Sequence, residues 1–451
     1  MIQASPLISI LTVLLYLAGV FGFGGATGKD GLATPGLADS GIGQNTTASF
    51  VLASGSSVRI GDTVEAYGRV VNIRSGPGTS YPILGTVSNG QAATVEGGTN
   101  GWLKLRFQDN LSGWVADWLV RPGKGNPAAA HVPAGLQSIG YFVTTSANDT
   151  TSLNSMAKAG KSLTGIAPFS FTVDGRGYIS GKNNAQAVSR AKKAGQVALA
   201  LVHNTSGDWF SSTVAHNLLS QQVNRTRAIN EILYIIKKYG YDGVNIDFES
   251  VKPSDRENLN TFIRELSWAL RPKGYLVTIS VPAKTSDDKS HNWSGAYDYK
   301  VIGEYVDWVM LMAYDQHYKT GGPGPVAAIN WVEKVVKYAV STMPKHKIIL
   351  GVPAYGYDWP TNGNAAKSVS YAQAMNIAKA HGITPKWHST YKVPYFSYVS
   401  NGVVRQVWFE SSWSLEYKLK LVKDYGLKGI AMWRLGLEDP RSWDVIKEQF
   451  Y

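Results

Sequence analysis

The chain has 451 residues, 44% hydrophobic and 17% charged, with a net charge of +12 and no cysteine. Such a length exceeds one ordinary core and calls for two or three domains. The missing cysteine excludes disulfides, thiolate metal sites and a cysteine nucleophile. The positive charge points to anionic surroundings such as a cell wall or membrane surface, while the lack of any Lys/Arg-rich block argues against nucleic acid.

Taken in chain order, residues 6–23 form an uncharged apolar run, followed by Gly24-Gly25-Ala26-Thr27-Gly28. Residues 1–26 therefore read as a signal peptide with a small-residue cleavage region. No Lys or Arg precedes the run, and its length also suits a retained membrane anchor. Export is expected in either case. Residues 27–57, rich in Gly, Ala, Ser and Thr, read as a flexible tether.

Residues 58–122 alternate short β-rich runs with turns (VVNIR, SGPG, ILGTV, SNGQ, GWLKLRF), the pattern of a small all-β barrel. Val71-Asn-Ile-Arg-Ser-Gly-Pro-Gly-Thr-Ser-Tyr81, Gly101-Trp-Leu-Lys-Leu and Gly113-Trp-Val closely resemble bacterial SH3-like domains. The resemblance implies a non-catalytic module that holds an exported enzyme on the cell wall, or else a plain spacer. A second linker, 123–135, leads into the C-terminal domain, 136–451.

That domain alternates strand-like runs with amphipathic stretches. The strands are expected at 139–143, 165–173, 197–204, 243–249, 276–283, 308–315, 348–357 and 429–435, and helices at Val223–Tyr239, Asn258–Leu270 and Ala327–Val340. Eight β-then-α units predict an α/β TIM barrel. Residues 360–412 are too long for a loop, and their helix-like run (Tyr371–Ala380) and two strand-like runs predict a small α+β insertion forming one wall of a cleft.

Catalytic groups of such barrels sit at the carboxyl ends of strands. The fourth strand reads Asp242-Gly-Val-Asn245-Ile-Asp247-Phe-Glu249. Strand alternation places Asn245, Asp247 and Glu249 on one face, about 7 Å apart per i, i+2 step. Three polar groups aimed into a barrel need partners or a task. A structural polar network or a carboxylate metal site would also fit, although no His lies near in sequence.

The motif is similar to the DGxDxDxE pattern of glycoside hydrolase family 18, the chitinase-like family. Met310-Leu-Met312-Ala-Tyr314-Asp315 resembles that family's M-x-Y-D, and Gly429-Ile-Ala-Met-Trp433 its late tryptophan. The resemblance implies Glu249 as acid/base, with the substrate's own 2-acetamido oxygen as nucleophile. It implies that Asp247 binds the acetamide N–H and that Tyr314 steadies the acetamide oxygen. Asp315, Met312, Trp433, Tyr141 and Tyr355 are expected to contact substrate, Trp433 as the floor under the sugar.

Tyr141, Tyr355, Tyr357 and Trp359 either line the cleft or pack in the core. Asp242 and Asn245 support the motif, and His203 reads as a satisfied polar residue. No metal or organic cofactor is implied, and a monomer is expected.

Asn245 stands where the family pattern has a second Asp. Its amide is expected to donate to Asp247, which would then ionise more easily than in relatives that carry the paired Asp and keep activity into mildly acidic pH. The form DGVNIDFE is similar to the branch of bacterial spore-cortex and cell-wall N-acetylglucosaminidases. Peptidoglycan is therefore the first expected substrate and chitin the alternative. A non-catalytic glycan-binding lectin is the reading from another class, against which Glu249 speaks.

Overall fold

The computed structural model describes residues 49–52, 57–99, 101–107, 111–123 and 132–451. The segment read as signal peptide or anchor, 1–26, lies outside the described residues, as does most of both linkers. The chain divides into two compact units, one holding the small module and one the large C-terminal domain.

The large domain is a closed barrel of eight parallel strands: β1 Gln137–Phe142, β2 Gly165–Val173, β3 Val197–His203, β4 Gly243–Asp247, β5 Leu276–Pro282, β6 Trp308–Met312, β7 Ile348–Pro353 and β8 Gly429–Trp433. Each pairs with its neighbours in sequence, and β8 closes on β1. Such strands are buried on both faces, which is why β3 reads as the apolar run VALALV before His203. Ala198, Ala200 and Val202 pack under the surrounding helices, while Leu199 and Leu201 fill the barrel interior.

The helices cover the barrel with apolar stripes. Gln222–Tyr239 buries Ala228, Ile229, Ile232, Ile235 and Ile236, and stops at Gly240, whose φ of +73° suits a residue without Cβ. The expected insertion is present, with one correction. The run 348–357 is two strands, not one. After Pro353 the Ala354 N–H still donates to the Trp433 carbonyl (2.8 Å), and the chain then leaves the barrel as Tyr355–Pro360. That strand enters a five-stranded antiparallel sheet with Lys367–Ser370, Lys386–His388, Val393–Ser400 and Val403–Phe409. The insertion therefore begins at Tyr355, and its helix Tyr371–Ala380 opens on a Ser370/Gln373 capping box.

The small module is all-β, with a seven-stranded sheet around Val64, Val71, Ile73, Leu105 and Val115. Its SGPG turn is a packing requirement, because a Cβ on Gly76 would lie 2.3 Å from the Tyr81 ring. Residues Ser49–Val51 pair with Ser57–Arg59, and Leu52 and Val58 join the module core. The folded module thus reaches back into the stretch read as tether.

Candidate active site

β4 carries the polar groups into the barrel as alternation requires. Val244, Ile246 and Phe248 join the core under the helices, while Asn245, Asp247 and Glu249, all buried, take the other face. Asn245 lies deepest, in register with Leu201 on β3 and Thr278 on β5. Its amide donates to Thr278 Oγ1 (3.0 Å) and touches Met310 Sδ (3.5 Å), and its Oδ1 accepts from Ser280 Oγ (3.1 Å).

The expected donation from Asn245 to Asp247 is therefore corrected: β5 supplies hydroxyls that take the amide first. Ser280 also bonds the Tyr141 hydroxyl (2.9 Å), so one hydroxyl links β1, β4 and β5. Asp247 Oδ1 is buried with no protein partner among the described residues.

Glu249 lies two residues beyond the last ladder pair of β4, and its backbone is clamped. Asn204 accepts from the Glu249 N–H (2.9 Å) and donates to the Glu249 carbonyl (2.9 Å), with a further bond to the Ser211 carbonyl (3.1 Å). The Tyr297 hydroxyl donates to the carbonyl of Phe248 (2.6 Å). Neither Asn204 nor Tyr297 was found by motif. The available signal was a polar residue directly after the apolar run of β3.

No Lys or Arg pairs with the three site carboxylates among the described residues. Burial pushes Glu249 well above the ordinary carboxylate range, and the charges of Asp247 and Asp315 push it further. Burial also lifts Asp247 to about 7, against a hydrogen bond from Ser280 that lowers it. A value that high runs against the expected activity at mildly acidic pH.

Asp315 follows β6 in a left-handed turn (φ +56°) that Asp tolerates. It accepts from the hydroxyls of Tyr355 (2.6 Å) and Tyr357 (2.9 Å), and burial lifts it to about 6. The two tyrosines thus reach the site through Asp315. Trp359 instead donates to the Tyr318 carbonyl (3.3 Å).

Burial holds the Tyr314 hydroxyl protonated, and the charges acting on it come from Tyr141, Asp247, Glu249 and Asp315. Met312 is half-buried at the end of β6, opposite Pro282. Trp433 ends β8, half-buried, with its ring edge-to-face against Tyr141 (5.2 Å) and Phe169 (5.7 Å). Phe169 in turn stacks on His203 at 4.0 Å. Burial drops the His203 pKa to about 3, so the ring is neutral near neutrality, as expected of a satisfied polar residue. Asp242 sits at the opposite end of β4, accepting from the Ala198 N–H (2.9 Å) and pairing with Lys192. Among the described residues no three His, Asp or Glu side chains converge to hold a metal ion.

Residues 137–438 match glycosyl hydrolases family 18, and residues 69–121 match the bacterial SH3 domain. The chain is 32% identical to the uncharacterized glycosylase YvbX of Bacillus subtilis over 316 residues, covering 69% of this chain and 92% of that protein. It is 33% identical to the cortical fragment-lytic enzyme of Bacillus subtilis over 293 residues, covering 64% and 68%. Among solved structures it is similar to the Bacillus cereus spore cortex-lytic enzyme SleL, with 31% identity and a TM-score of 0.67 over 71% of this chain and 76% of that one. It is also similar to a chitinase from Chromobacterium violaceum, with 27% identity and a TM-score of 0.65 over 70% and 98%. With a closed parallel barrel and its acids at the carboxyl end of the fourth strand, the chain belongs to glycoside hydrolase family 18 and carries a bacterial SH3 domain before the catalytic barrel.

Proposed function

We propose that this glycosidase cleaves β-1,4-linked N-acetylglucosamine polymers of bacterial peptidoglycan, spore cortex first, by a retaining, substrate-assisted mechanism. The observation that carries the reading is an acid held toward its protonated form by burial and like charge, Glu249, two residues beyond a second carboxylate and, among the described residues, with no cation beside either. Glu249 gives its proton to the leaving glycosidic oxygen and later takes one from the incoming water. The acetamide oxygen of the substrate attacks in place of an enzyme carboxylate.

Asp247 accepts the acetamide N–H at its unpartnered Oδ1, and its charge stabilises the oxazolinium ion. Tyr314, held as a neutral donor, bonds the acetamide oxygen. Asp315, Met312 and Trp433 seat the same sugar. Tyr141 and Tyr355 act from behind, through Ser280 and Asp315.

The names of the relatives support cortex as substrate, and a wall-binding SH3 domain agrees with an exported, wall-associated enzyme acting as a monomer. Chitin is the second reading, favoured by the similarity to the Chromobacterium violaceum chitinase. Digestion of purified cortex, vegetative wall and chitin, with mass spectrometry of the products, tests the proposal. Release of N-acetylglucosamine-terminated muropeptides from cortex is expected. Products from chitin alone would overturn the peptidoglycan reading.

A further inference from the structure

The inserted sheet and the barrel helix that follows it carry an exposed aromatic cluster that the cleft does not use. Trp413 and Tyr417 stand one turn apart on helix Ser412–Tyr425, and are 60% and 39% exposed. The i, i+4 spacing puts them on one helix face. Trp387, from the edge strand Lys386–His388, packs on both, with ring centroids 6.3 Å from Trp413 and 6.1 Å from Tyr417.

Strand register fixes where this cluster lies. Tyr357, Trp408 and Tyr395 are paired across three strands and share one face of the inserted sheet. That face packs in the aromatic core with Tyr314 and Trp433. Lys386 is the partner of Tyr395, so Trp387, one residue on, points to the opposite face. Helix Ser412–Tyr425 leads into β8, and barrel helices run antiparallel to their strands. Its first turn, with Trp413, therefore lies at the end of the barrel that holds the acids. The cluster shares that end with the cleft and is separated from it by the sheet.

Two cations frame the rings. The Arg441 guanidinium lies 5.9 Å from the Trp413 ring, and the Lys392 ammonium 5.2 Å from the Tyr417 ring. Arg441 also bonds Asp439 at 3.3 Å, which orients it. Rings serving only to dock the helix would be buried, whereas this tryptophan keeps most of its surface in water. Flat apolar faces bind the C–H faces of sugars, and flanking cations select acidic ones.

We propose that Trp413, Tyr417 and Trp387 form a second glycan site, outside the cleft, for a β-linked amino-sugar strand bearing carboxylates. Arg441 and Lys392 pair with those carboxylates. The site rests on the wall-polymer reading of the enzyme, and gives the barrel its own hold on the polymer besides that of the SH3 domain.

The test uses the full chain carrying Glu249→Gln, so that the probe is not cut. The probes are peptide-free peptidoglycan strands, which bear lactyl carboxylates, and neutral chitin oligomers of matched length. Calorimetry should show Trp413→Ala/Tyr417→Ala weakening the carboxylate strands about tenfold, and Arg441→Gln/Lys392→Gln weakening them alone. With Glu249 restored, all variants should turn over a short soluble oligomer normally, which also reports folding. An unchanged Kd in the aromatic variant overturns the site. Equal losses on both probes, with no effect of the cations, overturn the acidic ligand. Wild-type hydrolysis of chitin but not wall would instead sink the substrate reading, and the affinity comparison would still decide the site.

Discussion

Two sets of buried or half-buried carboxylates in the barrel domain differ in one respect. Glu265, Glu410 and Asp358 each face a base: Arg225 at 2.9 Å, Lys418 at 2.7 Å and Arg405 at 2.9 Å. Asp247, Glu249 and Asp315 face hydroxyls and one another. A cation beside a buried carboxylate favours its anion, as Lys418 does for Glu410 against the burial that raises it. An unpaired one rises toward neutrality and can carry a proton at the pH of use. Among the described residues the fold places cations beside the structural acids and none beside the acids proposed to act on substrate.

The largest effect should come from the unpaired set. Glu249→Gln keeps the shape of the side chain but delivers no proton, so kcat should fall about 10²–10⁴-fold, with substrate binding retained. Near-normal turnover would sink the mechanism. The paired set should respond in the opposite currency. Glu265→Gln leaves the Arg225 guanidinium buried without its counter-charge, at a stability cost of about 3–5 kcal/mol. Urea unfolding of the barrel measures the loss, and kcat of the folded enzyme should stay near wild type. A stable Glu265→Gln variant would show that the pairs are not what distinguishes the two sets.

A third variant joins the two regions. Asn204 is fully buried, and both ends of its amide bond the Glu249 backbone. Asn204→Ala strands a buried N–H and a buried carbonyl, each about 1–3 kcal/mol, and frees the acid to drift. We expect roughly a tenfold fall in kcat with KM little changed, and a lowered melting temperature. Loss of stability with unaltered kcat would make Asn204 structural only.

Asn204 also marks where the sequence stops being legible. The barrel strands, the β4 acids and the insertion follow from periodicities of two and 3.6, because burial on one or both faces dictates them. The clamp does not, since any Asn near any backbone satisfies the same local rules. Thr278 and Ser280 were visible as polar positions two apart in the strand LVTISVP, but that they would take both ends of Asn245 depends on register with β4. The break after Pro353 was invisible because Tyr355, Tyr357 and Trp359 continue the apolar pattern into a different sheet. The pairing of Ser49–Val51 with Ser57–Arg59 was hidden by small and polar residues that read as tether.

The smallest expected effect concerns that register. In the proposed mechanism Asp247 must be ionised to stabilise the oxazolinium ion, and its pKa of about 7 exceeds the ordinary carboxylate value because burial disfavours the anion. As pH falls through that value Asp247 takes a proton, so kcat/KM should decline on the acid side from near neutrality. On the alkaline side activity should persist until Glu249, raised well above its ordinary value, loses its proton. Ser280 is the group that opposes the rise of Asp247, and its single O–H proton is shared between Asp247 and Asn245 Oδ1. Asn245→Asp puts a second carboxylate on that hydroxyl and beside Asp247. Both changes favour protonated Asp247, so the acid limb should move upward by roughly one unit or more, the two acids titrating as a pair. Ser280→Ala removes the opposing bond, together with those to Asn245 and Tyr141, but adds no charge, and should move the limb the same way by less. The measurement is kcat/KM against pH for the three enzymes on a soluble N-acetylglucosamine oligomer. Acid limbs that coincide would mean that the charge state of Asp247 is set by burial alone, and that the hydroxyl between β4 and β5 serves only to seat Asn245.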